Sequence, residues 1–197
     1  DIDLEGNDLT DSTQDTVDSD KNIRVTDSTG LSYGRNNGTP PSDSQAIGIG
    51  ARADTAFTTS IGKGSGQNNI RSQTSALGFN AGTNNSGKRL TAVGVNAGRD
   101  NSGGSSTFVG TDAGKLNTGR DVSAIGRRSA ENNTGDRVFA MGRAAARGDG
   151  LADPTTMGDD NIGIGQSALR NNQASGLIGI GQEAGINAQQ DDQLIIT

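Results

Sequence analysis

The chain has no cysteine, no histidine and no tryptophan, a single tyrosine, and only 3% aromatic residues in 197. Without cysteine there are no disulfides and no thiolate metal sites, and without histidine the commonest general base and metal ligand is missing. Hydrophobic residues make up 29% of the chain, too little for the core of a conventional layered globule. Positive charge is also scarce. Seventeen Lys and Arg against 23 Asp and Glu leave a formal charge of -6, so phosphate neutralisation is unavailable and no nucleic-acid partner is expected. No apolar run approaches the roughly 20 residues of a membrane-spanning helix, so no membrane span is expected. Neither a signal peptide nor an initiator Met precedes Asp1, and the chain reads as a processed or excised piece of something longer.

Glycine, in contrast, is abundant, with 31 residues. Its placement separates disorder from order. Taking the glycine that follows each aliphatic residue as a marker gives Gly50, Gly62, Gly78, Gly94, Gly110, Gly126, Gly142, Gly165 and Gly181, with steps of 12, 16, 16, 16, 16, 16, 23 and 16. A fixed period is the signature of a solenoid, whose repeats bury an apolar face only by stacking. A disordered chain has no reason to keep one.

Each repeat opens with a strand-like stretch such as Leu90-Thr91-Ala92-Val93 or Val122-Ser123-Ala124-Ile125. Three residues past the marker stands a small residue (Ala81, Ala97, Ala113, Ser129, Ala145, Ala168, Ala184), as a narrow coil requires. An Asn-Ser/Thr-Gly turn follows at Asn85, Asn101, Asn117 and Asn133, where Asn supports a turn and Gly is expected to supply positive φ. The expected fold is therefore all-β: a parallel β-roll, or β-solenoid, of 16-residue coils, each with two short strands and two turns. About ten coils at ~4.8 Å each give a rod about 45–50 Å long.

The strands are two-faced. Alternation puts Leu90 and Ala92 on one side and Val93 on the other, so the second side needs a covering surface, most simply another copy of the chain. Charge follows the period too, and neighbouring rungs are expected to set Arg120 beside Asp136 and Asp121 beside Arg137.

The phrases "SALGFNAG", "TAVGVNAG", "TFVGTDAG" and "GIGQEAG", joined by the Asn-Ser/Thr-Gly turns, resemble repeats of bacteriophage tail fibres and tailspikes; they are also similar to the β-roll heads of trimeric autotransporter adhesins. The resemblance covers about residues 45–197. It implies a homotrimer, packed around a common axis, that presents a surface to a cell and meets a host cell-surface glycan or protein. Adhesin heads repeat nearer 14 residues and carry a membrane-anchoring barrel and coiled-coil stalk that this sequence does not show. The phage reading is therefore favoured: a non-enzymatic tail-fibre part on the virion tail, outside the cell. A bacterial surface adhesin is the alternative, and a polysaccharide-cleaving tailspike module a third reading.

Two regions depart from the period. Residues 1–44, with eight acids and one Lys in the first 21, read as an acidic linker or capping segment, and "NIRVTDSTGLSYG" within it as strand, turn and strand. The 23-residue step inserts "RGDGLADPTTMGDD", residues 147–160, as an outward loop. Loops on rigid scaffolds commonly carry recognition, so Arg147, Asp149, Asp153, Thr155 and Asp159 are the candidate receptor contacts.

Catalytic chemistry has few candidates. Asp112, Asp121, Glu131 and Asp136 are the acids a glycosidase pair would draw on, but no aromatic platform accompanies them. No catalytic residue, cofactor or metal is expected; Asp159 and Asp160 are the one pair weighed as cation ligands. A hydroxyl ladder at Thr59, Ser75, Thr91, Thr107 and Ser123 gives way to Phe139, and strand propensity accounts for it.

Overall fold

The computed structural model describes residues 44–149 and 157–197, with the backbone of three short strands before them at 16–17, 23–24 and 31–33. Strands β1 (Thr16–Val17) and β2 (Ile23–Arg24) pair antiparallel. All the others, β3 (Leu31–Tyr33), β4 (Gln45–Ile47), β5 (Thr58–Ile61), β6 (Thr74–Leu77), β7 (Leu90–Val93), β8 (Ser106–Val109), β9 (Ser123–Ile125), β10 (Phe139–Met141), β11 (Ile162–Ile164), β12 (Ile178–Ile180) and β13 (Leu194–Ile196), form one eleven-stranded parallel sheet in sequence order. Each coil contributes one strand and stacks on its predecessor. No helix occurs among the described residues. The parallel β-solenoid read from the period is the observed fold.

The register corrects the period at its N-terminal end. Ile47 pairs with Ile61, so the counterpart of Gly62 is Gly48 and not Gly50, and the step is 14 residues where 12 was expected. Gly48 and Gly62 also share the same backbone, φ 129° and 124°. The preceding step, Leu31 to Gln45, is 14 as well. The parallel sheet thus begins at β3, inside the segment read as linker or cap. Ile23–Arg24 and Leu31–Tyr33 are both strands, as expected, but they pair with different partners.

A second correction concerns the return side of each coil. Two strands per coil were expected, and the structure has one. In the coil that follows β7, Asn96, Gly98 and Asp100 all lie in the left-handed region, at φ 54°, 60° and 56°, and such alternation curls the chain out of any pleat. Stacking still satisfies the backbone. Asn96 and Asp100 donate their N–H groups to Phe79 and Thr83 of the coil before, while Gly98 donates to Ala113 of the coil after, at 2.8 Å each. Lateral hydrogen bonds replace the ladder that a second strand would have made.

At Asp100's repeat position the chain has Asn84, Asn132, Asn171 and Asn187, but also Leu116, each with φ between 53° and 58°. Asn tolerates this conformation; a γ-branched residue gains nothing from it. Leu116 is 46% exposed and interrupts a surface amide row in which Asn84 Nδ2 donates to Asp100 Oδ1 at 2.8 Å. Leu116→Asn is expected to raise stability by about 0.5–1 kcal/mol, read as a higher unfolding midpoint in thermal denaturation.

Glycine serves two separate needs. The marker glycines combine φ of 122–138° with a close approach: a Cβ on Gly94 would meet the Gly110 carbonyl oxygen at 2.7 Å. Gly87, Gly103, Gly119 and Gly135 of the Asn-Ser/Thr-Gly turns are different. Their φ is not left-handed, contrary to expectation, and glycine is required because a Cβ on one would run into the carbonyl of the next.

The asparagine of that turn is not outside but at the heart of the rod. Asn69, Asn85, Asn101, Asn117 and Asn133 are at most 1% exposed. Each Nδ2 of the last four donates to the preceding Oδ1 at 2.8–3.1 Å and to the carbonyl of its own turn glycine at 2.7–2.9 Å. The ladder has two open ends, Asn69 Nδ2 and Asn133 Oδ1, buried with no partner. Sixteen residues after Asn133 the sequence has Asp149, which is exposed, in place of a buried asparagine.

The apolar core is a thin line of small residues. The inward strand residue faces the residue six positions later across the coil, and at least one of the two is always small: Ala76 with Gly82, Ala92 with Gly98, Phe108 with Gly114, Ala124 with Ala130, Ala140 with Ala146, Gly163 with Leu169. A Cβ on Gly114 would overlap the Phe108 ring, and one on Gly163 would touch the Leu169 side chain at 3.5 Å. Close packing accounts for this, since a large side chain such as Phe108 or Leu169 leaves room for no second one opposite it.

Candidate functional site

In each strand the first and third residues of the four-residue phrase point inward, as the buried-exposed alternation of β6, β7 and β8 records. The second and fourth point out and line up in two columns along the rod. One column runs Thr59, Ser75, Thr91, Thr107, Ser123, Phe139, Ile162, Ile178, Leu194. Its beginning is the hydroxyl ladder seen in the sequence. The other is apolar at every rung: Ile47, Ile61, Leu77, Val93, Val109, Ile125, Met141, Ile164, Ile180, Ile196. Leu77, Val109, Ile125, Met141, Ile180 and Ile196 are 36–67% exposed. Phe79 and Val95, just past the corner, widen the stripe and are themselves exposed. A continuous apolar stripe along a rod is far from the scattered single hydrophobics of an ordinary surface.

The insertion loop was the sequence's candidate for recognition. Arg147 sits at its start, where its Nε donates to Glu131 Oε2 at 2.8 Å; the same carboxylate takes Arg128 Nε at 2.7 Å. Glu131 is buried between these two guanidiniums, and its bond and charge raise the pKa of Arg128. Asp149, two residues further on, is exposed. Asp153 and Thr155 lie outside the described residues. Asp159, at the far end, accepts the Asp136 backbone N–H at 2.8 Å and stands 3.6 Å from Arg137. Arg147 and Asp159 are thus tied into the rod at the two ends of the insertion, on different repeat columns, and each already has a protein partner.

The polar corner just before the strands holds the charge pairs. Arg120 Nη2 meets Asp136 Oδ2 at 3.1 Å, as the period suggested, and Asp136 Oδ1 also accepts the Arg120 backbone N–H at 2.8 Å. That backbone bond, aided by the guanidinium, holds the Asp136 carboxyl below the ordinary range. The other expected pair does not form. Arg137 turns toward the next coil, where its Nη2 meets Asp160 Oδ2 at 2.8 Å, and Asp121 has no ion pair among the described residues. The reason is the insertion, whose return sets two adjacent acids, Asp159 and Asp160, against one arginine. The hydrogen bonds from Arg137 hold Asp160 below its usual pKa.

The acids weighed for catalysis are mostly engaged: Glu131 by two arginines, Asp136 by Arg120, Asp112 by an amide bond from Asn96 at 3.0 Å. Among the described residues, no group of three or more acids, His or Cys is placed to share a metal ion, and Asp159 and Asp160 face Arg137. No helix among them is long and apolar enough to cross a membrane.

Sequence reasoning found the outward apolar face through strand alternation. It missed the shallow depression of about 250 Å³ over Gly104 and Ser105, walled by Arg89, Arg120, Asp121, Asp136 and Arg137. Its signal was there, as a glycine set between Lys88 and Arg120 at one repeat position. No protein-family model matches the chain, and no curated protein and no solved structure is significantly similar to it.

Proposed function

We propose that the chain is a non-enzymatic structural and adhesive part of a homotrimeric phage tail fibre, carried on the virion tail, which helps attach the particle to a host cell surface. One observation carries this reading: the apolar column from Ile47 to Ile196 runs from β4 to β13, and its side chains stay partly or largely exposed among the described residues. Leaving it in water costs about 25 cal/mol for each Å² of apolar surface, so a matching surface is strongly favoured. Copies of the same rod offer that match rung for rung, because all share one repeat length. The thin core points the same way, since a rod filled by alanines gains little stability alone.

The head of a bacterial trimeric adhesin is the second reading. Its support is the pair of 14-residue steps at the start of the sheet, the period expected of such heads.

A charge in the middle of the column tests the reading. Val109→Asp with Ile125→Asp is expected to convert a sedimenting trimer into monomers, because three copies of each carboxylate would be buried unpaired at the axis. A trimer that survives both exchanges would place its interface elsewhere and sink the proposal.

A further inference from the structure

Nearly every described glycine is demanded by the fold, either by left-handed φ or by a neighbour that a Cβ would strike. Gly104 is the exception. Its φ is ordinary, and a Cβ there would find only the Lys88 carbonyl oxygen, at 3.7 Å. Long side chains occupy the same position on the rungs to either side, Lys88 and Arg120. A side chain would fit at Gly104, yet its absence is what opens the depression.

The walls of that depression have a definite chemistry. On one side Arg89 lies over Ser105, with Nε and Nη2 bonded to the Oγ at 2.9 and 2.6 Å, and meets no carboxylate among the described residues. On the other side Arg120 uses one Nη for Asp136 and leaves the rest of its guanidinium, 72% exposed, unengaged. Asp121 and Asp136 add acceptors, and no aromatic ring lines the space. Arg137 also lines the space but is held by Asp159 and Asp160, so Arg89 and Arg120 are the two cations left to meet a negative charge. The two carboxylates beside them repel a phosphate or sulfate dianion but accept hydrogen bonds from hydroxyls.

We propose that the depression over Gly104 and Ser105 binds a uronate unit of an acidic polysaccharide, its carboxylate between Arg89 and Arg120 and its hydroxyls donating to Asp121 and Asp136. The site is shallow and polar, and one sugar unit there makes a weak contact. Its repetition in each copy of an oligomer turns weak contacts into firm attachment. The ligand's source follows from the attachment reading, whereas the binding event does not depend on it.

The experiment titrates the full chain with a glucuronate-containing disaccharide, the corresponding glucose disaccharide and inorganic phosphate, followed by amide chemical shifts. The expected result is saturable binding of the uronate in the range of about 1 mM, with shifts centred on Gly104 and Ser105. Gly104→Gln, which fills the notch, and Arg120→Gln are each expected to weaken binding about tenfold or more through the lost charge-assisted bonds. Gly104→Gln should do so with an unchanged thermal midpoint, which separates a lost site from a lost fold. Equal binding of the neutral sugar, preference for phosphate, or full uronate binding by folded Gly104→Gln would each overturn the site. A trimer that binds no uronate removes this site alone; a monomer that binds it removes the trimer reading alone.

Discussion

Asn101→Ala is expected to lower stability by about 3–5 kcal/mol, the sum of several buried hydrogen bonds and the polar groups left behind. Asn101 is fully buried, donates to Asn85 Oδ1 at 2.8 Å and to the Gly103 carbonyl at 2.7 Å, and accepts from Asn117 Nδ2 at 2.9 Å. Truncation deprives the Gly103 carbonyl of its donor in a place water does not reach. It also splits the ladder into two shorter rows. Asn101→Asp keeps the shape but replaces the donating amide by an oxygen that faces two acceptors, and it should be the more damaging exchange at neutral pH. The surface neighbour Ser102 is the control: Ser102→Ala should change stability by less than about 0.5 kcal/mol. Chemical denaturation of the three variants measures these differences. Equal effects at positions 101 and 102 would mean that the ladder contributes no stability.

The second large effect is expected at the widest point of the core. Phe108→Ala should cost about 3–5 kcal/mol through lost burial and the cavity left behind. Gly114→Ala should also destabilise, because its Cβ overlaps the Phe108 ring and its φ of 61° strains a non-glycine residue. Together the two exchanges recreate the pair found one coil later at Ala124 and Ala130, where alanine accepts φ of 50°. The double variant should therefore lose less than the sum of the singles, by about 1–3 kcal/mol of coupling for residues in direct contact. Strict additivity would show that the two positions do not share one volume.

These two sites also show what the sequence could and could not reveal. The period was legible because the marker glycines answer two demands at once, and no other residue meets both. At Ile47-Gly48-Ile49-Gly50 two glycines follow two aliphatics, and only the pairing of Ile47 with Ile61 decides between them. The Asn-Ser/Thr-Gly turn was visible, but its purpose was not. Positive φ and a close backbone approach both call for glycine, and the choice depends on how far away the next coil lies. The return side was misread for a related reason. Leu116, Ala146 and Leu169 adopt φ of 58°, 45° and 52° with no local preference for it, held there by hydrogen bonds to the adjoining coils. Size compensation between Phe108 and Gly114 becomes readable only once the two are known to face each other.

The candidate site divides along the same line. Outward and inward faces follow from alternation alone, so the apolar column could be anticipated from Val93 and its counterparts. Charge pairing could be anticipated for Arg120 with Asp136 but not for Arg137, which meets Asp160 at the return of the insertion. The depression at Gly104 required knowing that nothing else in the fold forbids a side chain there.

The apolar column is expected to be an interface among copies of one chain. Sedimentation equilibrium of the unmodified protein at low micromolar concentration tests it most directly. The predicted result is a single species of three times the 20.0 kDa chain mass. A stable, soluble single-chain species at that concentration would contradict it.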